Sequence, residues 1–354
     1  MQWSSVLWHC RNQNFLLYQQ YKKQQGASEV KFFYNSSGDA PFNLALEELI
    51  ASRIEDDIFM LWRNRSAVII GRNQNTAAEV DSSYAKEKGI QIVRRMTGGG
   101  AVYHDFGNIN YTICTAGRQL EDSAFSRNAA CVVEALNKMN VPAEFSGRND
   151  IIVDGKKISG SAKTVLSSRT LFHGTMLFDT DLSVLTKVLT PDPDKIRAKG
   201  IKSVRSRVGN LREYFPDMAV EDFITAFTNE IISINDAVLE EIPDKLKQEA
   251  EQLADKKYRT WQWNYGSTIT YSFSKKRRFD FGSVQLNFNV KDNCIADLAI
   301  CGDFFGDNDI SGLCRKLEGT SLEPEVLASA VKKIPVEKFI HGAESSDIIS
   351  LLEL

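Results

Sequence analysis

The sequence lacks the features that staple small secreted domains or anchor a chain in lipid. Its six cysteines (Cys10, Cys114, Cys131, Cys294, Cys301 and Cys314) are scattered through 354 residues with no C-x-x-C pair. A disulfide framework is therefore not expected, and the thiols are read as reduced. The four histidines (His9, His104, His173 and His341) have no H-x-x-x-H spacing and no cysteine cluster beside them, so no structural zinc is expected. No run of 18 apolar residues occurs, which excludes a predicted membrane-spanning helix. Nor is one sign of charge in excess. The 43 basic and 46 acidic residues leave a net charge of −3, too little to coat nucleic acid or an anionic membrane, so charge-driven recognition has to be local. What is present, 43% apolar and 25% charged residues over a length that suits two domains, is the composition of an ordinary globular protein.

Residues Met1 to Ser28 contain no acidic residue and three basic ones, Arg11, Lys22 and Lys23. That is transit-peptide composition, and it predicts mitochondrial import, with a cytoplasmic protein bearing an N-terminal extension as the alternative. From Glu29 strands and helices alternate. Val30 to Tyr34 is β-prone, and a helix opens at Pro41 with Phe42, Ala45, Leu46, Leu49 and Ile50 on its buried stripe, leaving Glu47 and Glu48 for the solvated face. Phe59–Trp62 and Ala67–Ile70 read as strands. Helices are predicted over Ser123 to Met139 and Glu221 to Ile234. A domain boundary is expected near Asp255. Beyond it Trp261, Trp263 and Tyr265 open a strand-rich tail with alternation through Val284, Leu286, Phe288 and Val290, and helical spacing returns from Val326 to Ile334.

Three segments carry chemistry. In the first, Arg94-Arg95-Met96-Thr97-Gly98-Gly99-Gly100-Ala101-Val102-Tyr103-His104-Asp105, three missing side chains let a ligand approach the backbone, and Arg95 can meet a carboxylate or phosphate bidentately. It contains neither a Walker A lysine nor a G-x-G-x-x-G spacing. In the second, Asp154-Gly155 between β-prone runs predicts a two-residue hairpin. Its register would set Val153 opposite Lys156, Ile152 opposite Lys157, Ile151 opposite Ile158 and Asp150 opposite Ser159. Asp150, Lys157 and Ser159 would then share a face, presenting a cation toward an anionic ligand, although two solvated hairpin lysines fit the same sequence. The third, Lys195 to Arg212, holds seven basic residues (Lys195, Arg197, Lys199, Lys202, Arg205, Arg207 and Arg212) and no acid. It reads as an anion-attracting loop; with no aromatics interleaved, nucleic acid is not its expected partner.

Pro41-Phe42-Asn43-Leu44-Ala45-Leu46-Glu47-Glu48, the R-R-x-[ST]-G-G-G-A-V-Y-H-D run from Arg94, G-R-N-D-I-I-V with K-I-S-G-S-A to Ala162, and K-S-V-R-S-R-V-x-N-L to Leu211 together closely resemble the lipoate-protein ligase A family, in order and in spacing. The resemblance runs from about Val30 to the C-terminus. It implies an α+β fold: a large biotin/lipoate-ligase-type catalytic domain over 29–255, with mixed and antiparallel sheets and flanking helices, and a small α+β accessory domain over 256–354. It also implies activation of lipoate by ATP to lipoyl-AMP, followed by transfer to a lysine of a carrier domain.

By the same resemblance Lys157 contacts the lipoyl carbonyl and the α-phosphate, Gly98, Gly99, Gly100, Ala101, Val102 and Tyr103 line the lipoyl-adenylate pocket, and Arg95 meets phosphate. Asp150 and Ser159 are candidates to orient Lys157, and His173 matches a family position. The segment Lys195 to Arg212 looks like the one that covers the adenylate. Mg²⁺ is expected with the nucleotide, with no ligands assigned to it. The implied acceptors are lipoyl domains of 2-oxoacid dehydrogenase E2 subunits and the glycine cleavage H protein. Two other readings stay open: a lipoyltransferase or amidotransferase that accepts ready-made lipoyl-AMP or another protein's acyl group, and an inactive lipoate- or carrier-binding module.

Overall fold

The computed structural model describes residues 30–119, 123–147, 149–189, 208–266 and 271–352. The acid-free stretch 1–28, Arg148 and six of the seven basic residues of the third segment, Lys195 to Arg207, lie outside the described residues. The chain forms two compact units. The first draws on residues 30–67, 104–186 and 208–258, and the second on 68–103, 187–189 and 259–352.

In chain order the strands are β1 (Val30–Asn35), β2 (Asp57–Trp62), β3 (Ala67–Ile70), β4 (Gln91–Arg94), β5 (Val102–His104), β6 (Asn108–Ala116) and β7 (Ala143–Ser146). They continue with β8 (Asp150–Val153), β9 (Lys156–Leu166), β10 (Arg169–Leu177), β11 (Ala237–Glu240), β12 (Phe273–Phe279), β13 (Gly282–Lys291) and β14 (Cys294–Gly302). The first unit is built on an eight-stranded sheet in the order β11-β1-β2-β6-β10-β9-β8-β7. β1 pairs in parallel with both β11 and β2, and every other neighbouring pair is antiparallel.

One face of this sheet holds the apolar core. Phe32, Phe59, Tyr111 and Phe172 pack there against Phe125, Val132 and Leu136 of the helix Ser123–Lys138 and against Phe223, Phe227 and Ile231 of the helix Val220–Asn235. These are the stripes that the 3.6-residue spacing predicts. The helix Ala40–Arg53 starts where Asp39 accepts a hydrogen bond from the Phe42 amide, with Pro41 in its first turn. Its residues meet β6 and β10, on the sheet face that carries Thr112 and His173.

In the second unit β4-β3-β5 form one small sheet and β12-β13-β14 another. The latter buries Val284, Leu286 and Phe288 beneath the helices Ile310–Leu317, Pro324–Lys332 and Ser345–Leu352. The alternation along 284–290 is thus a half-buried strand. The expectation that Trp261 opens a strand is corrected: Trp261–Tyr265 is a short helix capped by Thr260, whose Oγ1 accepts from the Trp263 amide. Tertiary partners decide it, since Trp263 Nε1 donates to the Arg94 carbonyl at 2.8 Å and Asn264 Oδ1 accepts from the Arg94 amide.

Phe223 is fully buried, with the Phe178 ring 4.6 Å and the Phe215 ring 5.2 Å from its own. Phe223→Ala is expected to cost about 3–5 kcal/mol by leaving a cavity between helix and sheet, read as a lowered urea midpoint with an unchanged m-value.

Candidate active site

The hairpin of the second segment forms as its sequence predicts. Asp154 and Gly155 take φ of 49° and 75°, the positive values a tight two-residue β-turn needs. Val153 pairs with Lys156 and Ile152 with Lys157, but the register then shifts: Ile151 faces Ser159 and Asp150 faces Gly160. Ile158 is the extra residue of a β-bulge. Ile151, Val153 and Ile158 all enter the apolar core, and Ser159 goes with them, buried with its Oγ 3.2 Å from the Tyr111 hydroxyl. Burial pushes the Tyr111 phenol well above its ordinary value, so it stays a neutral partner. The predicted sharing of a face by Ser159 and Lys157 is therefore corrected. Asp150 does meet Lys157: Nζ lies 2.7 Å from Oδ1, with both side chains between one third and two fifths exposed. The Lys157 carbonyl also accepts from the Gly209 amide at 3.0 Å. The strand of Lys157 is thereby tied to the described end of the basic segment, residues 208–212.

Glu47 is the second correction. The first helix is apolar at most of its sheet-facing positions, and the sequence reading sent Glu47 to solvent. It is instead only 2% exposed. Its carboxylate receives the Thr112 hydroxyl at 2.7 Å and lies 2.9 and 3.0 Å from His173 Nδ1. Thr112 Oγ1 in turn accepts from Trp62 Nε1 at 2.9 Å. One turn earlier Asn43 receives Asn35 and donates to Asn64, whose Nδ2 donates to His104 Nδ1. His173 thus belongs to a buried polar row beneath the helix, because a buried carboxylate needs several donors to be tolerated. Sequence reasoning missed Glu47, Thr112 and Trp62. The one local signal was two polar residues, Asn43 and Glu47, four apart within the apolar stripe. Glu48 behaves differently, accepting from Lys257 and Tyr258 at the margin of the unit.

The glycine turn belongs to the second unit. Gly99 has φ of +92°, and a Cβ on Gly98 would stand 2.5 Å from the Phe304 carbonyl oxygen, so both positions require glycine. Arg95 is buried and its guanidinium serves the turn itself. Nε donates to Thr97 Oγ1, Nη1 to the Ile69 carbonyl, and Nη2 to the carbonyls of Gly98 and Gly100 at 2.7 and 2.9 Å. Its neighbour Arg94 points to the other side of β4. There it donates to the carbonyls of Gly71, Arg72, Gln74, Trp263 and Asn264, and burial pushes it down to about 10, still charged at neutral pH. Ala101 and Val102 are half-buried and Tyr103 is buried. In the first unit Arg212, the one described member of the basic segment, donates to Asp179 and stacks over Phe178.

Arg95→Lys removes the fork that collects these carbonyls. It is expected to destabilise the protein by about 2–4 kcal/mol, since each buried acceptor left without its donor costs about 1–3 kcal/mol. Thermal unfolding checks this; an unchanged melting temperature with weakened nucleotide binding would make Arg95 a ligand contact instead.

Comparison with known proteins agrees with the sequence motifs. The lipoyl protein ligase A/B catalytic domain family matches residues 39–232, and the bacterial lipoate protein ligase C-terminus matches 268–352. The Bacillus subtilis lipoate-protein ligase LplJ is 37% identical over 89% of this chain and 97% of its own length. Staphylococcus aureus lipoate–protein ligase 1 is 36% identical over 91% and 100%. Among solved structures, P. falciparum LipL1 in complex with lipoate aligns with a TM-score of 0.75 at 27% identity, over 92% of this chain and 98% of that one. A lipoate-protein ligase A bound with ATP aligns with a TM-score of 0.59 at 30% identity, over 67% and 99%. The mitochondrial expectation is corrected by these relatives: the Bacillus and Staphylococcus ligases are bacterial proteins, as is a probable lipoate-protein ligase A of Mycoplasma pneumoniae, 35% identical over 85% of this chain and 91% of its own length, which points to a cytoplasmic rather than a mitochondrial protein, and composition alone over 28 residues does not specify import. The chain belongs to the lipoate-protein ligase family, as an enzyme with a lipoyl protein ligase A/B catalytic domain followed by the C-terminal region of the bacterial ligases.

Proposed function

We propose that this ligase joins lipoate to ATP as lipoyl-AMP, releasing pyrophosphate, and then passes the lipoyl group to the lysine of a carrier protein. The lipoate-bound and ATP-bound neighbours support these two substrates. The acceptor is a lipoyl carrier protein; we assign it to the lipoyl domains of 2-oxoacid dehydrogenase E2 subunits and to the glycine cleavage H protein. A neighbouring structure, of an archaeal bipartite ligase and its E2 lipoyl domain, supports the first of these.

The observation that carries the reading is the Lys157 ammonium, fixed 2.7 Å from Asp150 on a rigid hairpin and part-exposed. A carboxylate attacking the α-phosphate brings two anionic groups together, and the mixed anhydride then needs its carbonyl polarised for attack by an amine. A protonated lysine held where that charge develops is worth about 3 kcal/mol, by analogy with an oxyanion-hole donor. Lys157 acts as a fixed cation, not a nucleophile, and Asp150 orients it. The glycine turn from Gly98 to Tyr103 supplies backbone to the adenylate, with Arg95 shaping the turn. We assign His173 a supporting role, holding the Glu47 carboxylate beneath the first helix. Mg²⁺ is expected to accompany the phosphates of ATP. Among the described residues there is no cluster of three or more His, Cys, Asp or Glu side chains able to hold a metal, and no ligands and no step are assigned to it.

Lipoate-dependent pyrophosphate release from labelled ATP tests the reading. Wild type is expected to release pyrophosphate only with lipoate present, and Lys157→Ala to slow that release at least about 100-fold with its melting temperature unchanged. A near-normal rate in Lys157→Ala removes the assigned role. A wild type that transfers from ready-made lipoyl-AMP but releases no pyrophosphate is a transferase.

A further inference from the structure

Gly160 stands directly across the hairpin from Asp150. Its φ lies outside the left-handed region, so its backbone makes no demand for glycine, and in the body of a strand glycine is a poor choice compared with any residue bearing a Cβ. A Cβ placed there would stand 2.8 Å from Lys157 Nζ and 2.9 Å from Lys157 Cε, with Asp150 Oδ1 at 3.8 Å. Its two chain neighbours apart, no other residue brings a heavy atom nearer than Asp150 Oδ1. The space a side chain would fill is therefore occupied by one thing, the charged tip of Lys157. The bulge at Ile158 makes this possible by bringing Gly160, rather than Ser159, opposite Asp150.

We propose that Gly160 is a positioning residue for adenylation: the missing side chain gives the Lys157 ammonium its seat against Asp150, and so fixes the point from which the charge reaches the acyl phosphate. The inference rests on the reading of Lys157 given above. Steric logic separates its two consequences. The displaced atoms are the end of a flexible side chain, so a methyl group at 160 can be accommodated without moving the backbone. The ammonium then has to retreat by several tenths of an ångström or more, and charge stabilisation depends on placement at that scale.

The test uses the full chain and steady-state pyrophosphate release with lipoate and ATP. Gly160→Ala is expected to lower kcat roughly 10- to 100-fold, with KM for ATP and lipoate within about twofold of wild type and the melting temperature lowered by no more than about 2 °C. Combining Gly160→Ala with Asp150→Asn is expected to cost less than the product of the separate effects, because both act on one ammonium. An unchanged kcat in Gly160→Ala overturns the proposal. So does a raised KM with kcat intact, which would make the glycine a contact surface for the ligand, and so does a melting temperature lowered by more than about 5 °C, which would make it a packing residue. Lys157→Ala separates the two levels: if that variant is inactive while Gly160→Ala is fully active, the positioning role fails alone, and if Lys157→Ala is active, the reading of Lys157 fails first.

Discussion

The hairpin that carries Lys157 is governed by one extra residue. Strands alternate faces with a period of two, so an insertion exchanges the faces of everything beyond it. Ile158 is that insertion. It allows Ile158 and Ser159 both to turn inward, one into the apolar core and the other to the Tyr111 hydroxyl, while Lys157 and Asp150 stay together on the outer face at ion-pair distance. Without the bulge Asp150 would face a serine; with it, Asp150 faces Gly160, over which the lysine can lie. A packing requirement on one side of the sheet thereby sets the electrostatics on the other.

A similar division of labour operates beneath the first helix. Its sheet-facing stripe is apolar except at Asn43 and Glu47, and each of these anchors a chain of polar contacts across the sheet. The carboxylate of Glu47 is tolerable in a buried position only because Thr112 and His173 both reach it, and Thr112 is in turn held by the Trp62 indole. Such rows are costly when half-satisfied and rigid when complete. The helix is consequently fixed in rotation as well as in depth, which oil-like packing alone does not achieve.

The two arginines that begin the glycine-rich motif make the same point about charge. Sequence reading treats an arginine beside three glycines as a phosphate ligand. In the structure Arg95 gathers the carbonyl of Ile69 on β3 and those of Gly98 and Gly100 in the turn. Arg94, one residue earlier and so on the opposite face of β4, collects the carbonyls of Gly71, Arg72 and Gln74 and those of Trp263 and Asn264. Guanidinium groups suit this work because five donors in a rigid fork can satisfy several carbonyls at once.

Local pattern sufficed for much of the molecule. The helices over 40–53, 123–138 and 220–235 follow from apolar spacing, the hairpin turn from Asp154-Gly155, and the half-buried strand over 282–291 from alternation, since each depends on neighbours within a few residues. The sequence likewise singles out Lys157, Asp150 and the glycine turn as the candidates for chemistry, the positions on which the proposed function is built. Tertiary structure alone decided the bulge at Ile158, the burial of Glu47 by partners 65 and 126 residues away, the helical turn at Trp261–Tyr265, and the employment of Arg95 within its own turn. The physical reason is common to all four: the energy of burying a polar or charged group depends on which partner meets it in space, and no periodicity along the chain encodes that meeting.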